Sequence, residues 1–285
     1  MRRRSGPAMP AAVASAPRND LCRAHPTIAM PATDARLKPM GLAASLLYFS
    51  IPAAIFSASI LGLLPWMIRQ GYSQLTTFLV TFGGPLAAML IAALVFYRLE
   101  GRAWNWPDFR ARMRLQAPSA RDWMLTVALV AVIFGGQWLI GQFVVPLFSG
   151  LHLYDAPPEF GAVMGGIQGG VFDGRPMAGR WDIFFALTLT LIVLNILGEE
   201  LWWRGIILPR QELALGKWAW LVNGVLWDLF HIFYHTNVGS MVAYIPATLP
   251  LAYVAWKTRN TWPGIVAHLI TNGAFVVALW KAVTA

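Results

Sequence analysis

Two adjacent carboxylates occupy an unusual place in this sequence. Glu199 and Glu200 follow the run 183–198, which contains no Asp, Glu, Lys or Arg, and Arg204 comes four residues after the second acid. Helical residues four apart share a face, so Glu200 and Arg204 are predicted to form an ion pair. Glu199 is rotated by about 100° from its neighbour, which frees it for chemistry. The alternative is that both acids only cap a helix end.

A second group of chemically active residues lies in the stretch VLWDLFHIFYH. Trp227, His231 and His235 recur every four residues and form one stripe along a helix. Asp228, three residues before His231, is predicted to accept the second ring proton of that histidine and so to fix its tautomer. His235 is interpreted as a hydrogen-bonding residue between helices rather than as part of a site.

A third pair lies in the stretch PGIVAHLITN, where His268 and Asn272 are again four residues apart. Both side chains are expected to reach the same pocket. Asn272 could donate a hydrogen bond to a developing oxyanion, or it could hold His268 in place. Because three such groups fall on three separate segments, their coincidence is more informative than any one of them.

The elements that position these residues are predicted to be membrane helices. The chain is 57% hydrophobic and only 12% charged, whereas an average soluble domain is about 25% charged. A helix needs roughly 20 apolar residues to cross the hydrocarbon core. The composition therefore predicts an all-α, polytopic transmembrane bundle with about seven spans. The long runs that contain no Asp, Glu, Lys or Arg include 39–68, 70–97, 123–154 and 260–280.

The distribution of basic residues along this chain indicates its orientation in a membrane rather than nucleic-acid binding. The formal net charge is +9, but seven basic residues lie in residues 1–38 and six arginines lie in 98–121. Basic residues in alternate connections mark the cytoplasmic side. The pattern predicts a multi-pass protein of the cell membrane with a cytoplasmic N-terminus, an outer loop at 149–181, a lipid bilayer around it and no nucleic-acid partner.

The polar residues divide the chain into three parts. Residues 1–38 are rich in Arg, Pro and Ala without helical periodicity and are expected to form a disordered basic tail. Residues 39–181 are expected to be membrane scaffold helices, since they contain almost no ionisable residue within their apolar runs. Residues 182–281 contain the functional core, because ionisable residues inside a membrane mark a functional site.

The order of these groups resembles the family of CAAX-processing and bacteriocin-processing intramembrane proteases, the CPBP or Abi family. The pattern EExxxR, aromatic-xxx-His and HxxxN is found at Glu199–Arg204, Trp227–His231 and His268–Asn272, and the similarity covers about residues 182–280. Trp227 stands where the motif often has Phe, and either aromatic ring can pack beneath the histidine. Asp228 is an acid that the family pattern does not lead us to expect.

The resemblance implies an intramembrane endopeptidase that hydrolyses a peptide bond of a membrane-associated substrate, of the CAAX type or a leader peptide. Glu199 would activate water with the help of His231, and His268 and Asn272 would stabilise the oxyanion. The residues that would support this geometry are Glu200, Arg204, Trp227 and Asp228. The resemblance also implies an active site that opens toward the cytoplasm and a peptide or protein substrate at the membrane.

The residue types leave two questions open. Glu199, His231 and His268 are the ligand types of a catalytic zinc site, but the sequence lacks a compact HExxH helix. We therefore favour a mechanism without a required cofactor, with zinc as the alternative. The alternative function is a non-proteolytic immunity or scaffold protein of the same fold that binds a partner. A haem or ion-translocating protein that uses both histidines is a further reading.

Overall fold

A computed structural model describes residues 37–148 and 150–285 of the chain. Ten helices and one small hairpin make up the described part. The helices are α1 (Leu42–Arg69), α2 (Gln74–Leu99), α3 (Trp106–Arg112), α4 (Ala120–Phe143), α5 (Val145–Phe148), α6 (Pro158–Gly169), α7 (181–215), α8 (Ala219–Phe230), α9 (Val238–Thr258) and α10 (Trp262–Thr284). The strands β1 (Val171–Phe172) and β2 (Arg175–Pro176) pair in an antiparallel hairpin. The predicted tail lies outside the described residues, apart from its last two.

Six segments of the described residues are long and apolar enough to cross a membrane, and the predicted membrane bundle is confirmed. The longest of them, Trp181–Phe233, has 53 residues, which is more than twice the length of about 20 residues that one span needs. It turns at Gly216, whose φ of 55° lies in the left-handed region that glycine adopts easily. Asn223 of α8 then donates hydrogen bonds to Gln211 and to the Trp203 carbonyl of α7. The segment thus crosses the bundle twice, which brings the count close to seven.

Polar residues set where several helices begin. The Ser119 hydroxyl accepts a hydrogen bond from the Asp122 N–H, and the Asp122 carboxylate accepts one from the Ser119 N–H. Asn105 and Asn237 cap α3 and α9 in the same manner from their side-chain oxygens. Such caps satisfy backbone N–H groups that have no partner within the helix.

The connections lie at two ends of the bundle, which we call the basic end and the opposite end. The basic end comprises residues 98–122, 210–217 and 257–261, where the Thr261 N–H donates to the Arg114 carbonyl. The opposite end comprises residues 69–73, 150–182, 234–237 and 281–285, where the Gly179 N–H donates to the Val283 carbonyl. The described part of the predicted loop 149–181 contains α6 and the hairpin.

The core between the two ends is packed with aromatic side chains. Trp203 of α7 is fully buried and stacks on Phe49 of α1, with ring centroids 4.1 Å apart. Phe56 of α1 stacks in turn on Phe233, just beyond α8, at 4.6 Å. These contacts hold α1 against the helices that carry the functional residues.

Candidate functional site

The two acids lie in the middle of α7, where the helix is locally wider than an α-helix. The short α-helical stretch Gly198–Glu200 is flanked by the π-helical stretches Leu189–Leu197 and Leu201–Ile207. π-Helical turns are rare and occur frequently at functional sites. Gly198 allows a close approach, since a Cβ there would lie 2.9 Å from the Leu86 carbonyl oxygen of α2. Glu199 and Glu200 are both buried.

Glu199 is surrounded by neutral hydrogen-bond donors. Asn195 donates from Nδ2 to its Oε1 at 2.7 Å, and the Trp227 indole donates from Nε1 to its Oε2 at 2.6 Å. His231 Nε2 lies 4.0 Å from the same Oε2. The side chain thus has fixed geometry, and no arginine or lysine among the described residues forms an ion pair with it.

Glu200 has the opposite surroundings. Arg204 Nη1 and His268 Nδ1 each lie 3.2 Å from its Oε1, and both the Glu200 and Arg204 side chains are completely buried. The guanidinium of Arg204 also lies over the Trp227 ring, 3.8 Å from the centroid. The predicted pairing of Glu200 with Arg204 is therefore present, and His268 extends it from another helix.

His231 is oriented by a backbone group rather than by the acid that we expected. Its Nδ1 lies 2.8 Å from the carbonyl oxygen of Trp227. Since a carbonyl only accepts, Nδ1 carries the proton in the neutral ring and Nε2 keeps its lone pair toward Glu199. Asp228 instead accepts a hydrogen bond from Thr248 at 3.3 Å. The predicted bond between Asp228 and His231 is absent from the described contacts, because each of the two side chains has another partner.

Asn272 contacts α7 rather than His268. Its Nδ2 donates to the Asn195 side-chain oxygen at 2.8 Å and to the Leu191 carbonyl at 3.0 Å. Both protons of the amide are therefore committed to α7, and no described hydrogen bond joins Asn272 to His268. In this arrangement Asn272 orients Asn195, which in turn holds Glu199.

A cavity of about 300 Å³ connects the predicted catalytic residues. All four of them line it, whereas the supporting residues Glu200, Arg204, Trp227 and Asp228 do not. Glu199 lines the cavity and Glu200 does not. This difference agrees with the rotation of about 100° between neighbouring helical residues. The polar residues that line the cavity are Asn195, Glu199, His231, Tyr234, Tyr244, His268, Thr271 and Asn272.

Two further side chains contribute to the site. Asn195 lies four residues before Glu199, and this helical spacing could have identified it as a partner of that acid. Tyr244 of α9 packs against His231 with ring centroids 4.7 Å apart, and no local spacing in the sequence connects the two. His235 is buried 6.3 Å from the His231 ring, measured between centroids, but does not line the cavity.

The three predicted metal ligands do not meet as a coordination site. Among the described residues, no group of three His, Cys, Asp or Glu side chains is placed to hold a metal ion. Nδ1 of His231 faces a carbonyl and Nδ1 of His268 faces Glu200, so the ring orientations leave both Nε2 atoms free. The fit is decided by the placement of the three side chains, which do not surround one point as zinc ligands do.

This protein is a polytopic helical bundle in which a carboxylate, two histidines and two amides line one interior cavity. Such an arrangement is typical of intramembrane enzymes. The comparison with protein families agrees with this class. Residues 181–274 match the family described as Type II CAAX prenyl endopeptidase Rce1-like. The resemblance to the CPBP intramembrane proteases is thereby confirmed, and the match supports a CAAX-type intramembrane endopeptidase at the level of the family. No curated protein and no solved structure matches the chain.

Proposed function

We propose that this protein hydrolyses a peptide bond of a membrane-associated substrate, with Glu199 as the general base that activates water. The substrate class is a CAAX-type or leader peptide, presented by a protein in or on the cell membrane. The N-terminus lies in the cytoplasm, as the distribution of basic residues predicts. The supporting residues Glu200, Arg204 and Trp227 hold the site in shape.

One observation carries the proposal. Glu199 faces the cavity together with His231, His268 and Asn272, while Glu200, the next residue, is turned into a buried ion pair. A general base must lie within reach of the proton that it removes and must be free to accept it. Glu199 meets both requirements, since its two hydrogen bonds come from neutral groups.

Glu199 and His231 are suitably spaced to hold one water molecule between them. Their atoms Oε2 and Nε2 are 4.0 Å apart, and both are acceptors in the tautomer described above. A water at about 2.8 Å from each would meet them at an angle of about 90°, close to its own geometry. Its two protons would then be engaged, and a lone pair would point to the substrate carbonyl.

His268 is positioned to act on the oxyanion that this attack creates. Its Nδ1 is held by Glu200, so a doubly protonated ring can donate from Nε2 into the cavity. Donors aimed at the developing charge are worth roughly 10²–10³-fold in rate. Asn272 has the supporting role of fixing Asn195, and it donates to an oxyanion only after leaving one of its two present partners.

Cleavage of a library of membrane-anchored peptides by the purified full-length protein tests this proposal. Mass spectrometry in H₂¹⁸O should find one ¹⁸O in each new carboxylate with the wild type, and no product with Glu199→Ala at equal thermal stability. A wild-type protein that binds peptides tightly without cleaving any of them would instead support the non-proteolytic alternative. Cleavage that persists in Glu199→Ala would remove this residue from the mechanism.

A further inference from the structure

The basic end of the bundle has a groove beside the last turns of α2. Two gaps of about 270 and 260 Å³ have Trp104 and Leu94 in common, so they form one continuous groove. Each gap is nearly as large as the cavity of about 300 Å³ that holds the predicted catalytic residues. We call this surface the Trp104 groove. It is lined by Ile91, Leu94, Val95, Arg98, Leu99, Trp104, Asn105, Trp106 and Phe109.

The wall of the groove that α2 supplies is a stripe of apolar side chains followed by an arginine. Ile91, Val95 and Leu99 recur every four residues and are all exposed. Because α2 is one of the apolar spans, this exposed stripe faces lipid chains. Arg98 lies seven residues beyond Ile91, which is about 10 Å nearer the end of the helix. The groove thus leads from an apolar depth to a positive charge at its rim.

The loop after α2 supplies the other wall, and contacts from α2 hold it in place. The Tyr97 hydroxyl donates to the Ala103 carbonyl, and Arg98 Nη1 donates to the Arg102 carbonyl. The rings of Tyr97 and Trp104 lie 5.9 Å apart, measured between centroids. Trp104 is nevertheless 64% exposed. The indole is therefore fixed on one side and uncovered on the side of the groove.

Several arginines near the groove share one carboxylate. Glu100 pairs with Arg112, Arg210 and Arg102 at 2.6, 2.8 and 3.2 Å. Burial acts to raise the pKa of Glu100, but the hydrogen bonds and charges of Arg112 and Arg210 bring this pKa below its ordinary value. Glu100 therefore stays ionised at neutral pH and is engaged by these three arginines.

Arg98 and Arg110 differ from these paired arginines. Both are exposed, and neither forms an ion pair with a carboxylate among the described residues. Arg98 lines the groove, and Arg110 lies one helical turn after Trp106, which lines it from α3. Asp108 lies about 160° around α3 from Arg110, and its carboxylate accepts a hydrogen bond from Asn105 at 3.1 Å. The rim of the groove thus has two positive charges that no acid compensates.

We propose that the Trp104 groove binds an anionic phospholipid of the surrounding bilayer. One acyl chain lies along Ile91 and Val95, and the headgroup phosphate lies at the rim beside Arg98 and Arg110. Arginine forms charge-assisted and often bidentate hydrogen bonds to phosphate, and tryptophan is enriched at the level of lipid headgroups. A zwitterionic lipid has the same chains but no net charge, so the two arginines should select an anionic lipid. This site is separate from the proposed cleavage reaction and does not depend on it.

Native mass spectrometry of the purified full-length protein in detergent tests this site without requiring turnover. The protein is titrated with dioleoyl phosphatidylglycerol or dioleoyl phosphatidylcholine, and the retained lipids are counted. One phosphatidylglycerol should be retained at concentrations at which phosphatidylcholine is lost. A basic residue contributes about fivefold to the affinity for anionic lipid, so Arg98→Gln and Arg110→Gln should each weaken binding by about that factor. Arg121→Gln, an exposed arginine of the same connection outside the groove, is the matched control and should change nothing.

Two further variants separate the groove from its charges. Arg98→Lys keeps the charge but cannot reproduce the guanidinium contact to the Arg102 carbonyl, so it should bind phosphatidylglycerol nearly as well as the wild type. Trp104→Ala removes a wall of both gaps and should weaken binding. Trp123→Ala, an exposed tryptophan on α4 outside the groove, is its control and should not. Thermal unfolding of each variant measures whether the fold is kept.

Five results would overturn the inference. Equal retention of the two lipids would mean that no headgroup is selected. An equal loss in Arg121→Gln would assign the binding to the general positive charge of the basic end. A loss in Arg98→Lys as large as in Arg98→Gln would make the loop contact, and not the charge, responsible. Unchanged binding by a folded Trp104→Ala protein would place the lipid elsewhere. Displacement of phosphatidylglycerol by glycerol 3-phosphate, which has the phosphate without the chains, would make this a site for a soluble anion.

Discussion

Glu199 and Glu200 are neighbours in the chain, but the two sides of α7 on which they lie are built differently. Glu199 lines the cavity and accepts hydrogen bonds from the neutral donors Asn195 and Trp227. Glu200 contacts Arg204 and His268 in a fully buried cluster. A carboxylate held by neutral donors keeps more of its basicity than one beside a guanidinium. One helix thus places a cavity-lining acid and a buried, ion-paired acid at adjacent positions.

The largest effect expected from this comparison is on turnover. Glu199→Gln keeps the shape of the side chain but cannot accept a proton, so cleavage should fall by the 10²–10⁴-fold typical of general-base catalysis. Thermal unfolding should change much less than cleavage, since the amide oxygen still accepts from one of the two donors, Asn195 or Trp227, and only the other loses its acceptor. Normal cleavage by Glu199→Gln, together with a folded but inactive Glu200→Gln protein, would reverse the two roles.

The two histidines of α8 and the following turn offer a second comparison. His231 lines the cavity and lies 4.0 Å from Glu199, whereas the His235 ring packs against the rings of His231 and Tyr244 and does not line the cavity. His231→Ala should therefore lower the cleavage rate by about 10²-fold or more. His235→Ala, the matched control one turn away, should keep most of the activity. Equal losses in both variants would mean that the cavity depends on packing rather than on the Nε2 atom of His231.

Removing one partner of the buried pair should affect stability more than chemistry. Glu200→Gln leaves the Arg204 guanidinium without its carboxylate in a buried site, and breaking such a pair typically costs about 3–5 kcal/mol. The double variant Glu200→Gln, Arg204→Met removes the unpaired charge and should recover part of this loss. Chemical unfolding in detergent measures both differences. Wild-type stability in Glu200→Gln would show that the pair contributes little.

The sequence predicted the contacts that depend on spacing along one helix. Glu200 and Arg204 are four residues apart on α7, and they pair as expected. The His268 contact to Glu200 joins residues 68 positions apart, so no local pattern contains it. We predicted Asp228 as the partner of His231, but the structure shows the Trp227 carbonyl instead. This partner depends on the end of α8, where the helix tightens into a 3₁₀ turn at His231–Phe233.

The sequence pattern also could not predict the end of the bundle toward which the cavity extends. Basic residues in alternate connections predict which end of the bundle faces the cytoplasm, but they carry no information on where the interior is hollow. Helix α6 was missed as well, because its twelve residues include four glycines and give only a weak helical pattern. Met164 and Ile167 of α6 line the cavity, so part of the cavity wall comes from a helix that the sequence pattern did not predict.

The smallest of the expected effects concerns the packing of α10 against the structural acid. A Cβ on Gly264 would lie 2.6 Å from Glu200 Oε2 and 3.2 Å from a methyl carbon of Leu251. Gly264→Ala should therefore displace the buried carboxylate and destabilise the protein by about 1–3 kcal/mol, as overpacking commonly does. Gly273→Ala is the matched control on the same helix, because its Cβ would meet nothing within 4 Å.

A double-mutant cycle separates this clash from a general effect of alanine on α10. In a Glu200→Ala background the carboxylate is gone, so adding Gly264→Ala should cost clearly less than it does in the wild type. The difference between the two costs is the coupling energy between the positions. If Gly264→Ala costs the same in both backgrounds, the contact with Leu251 is the cause, and Glu200 is less tightly held than its two partners on Oε1 imply.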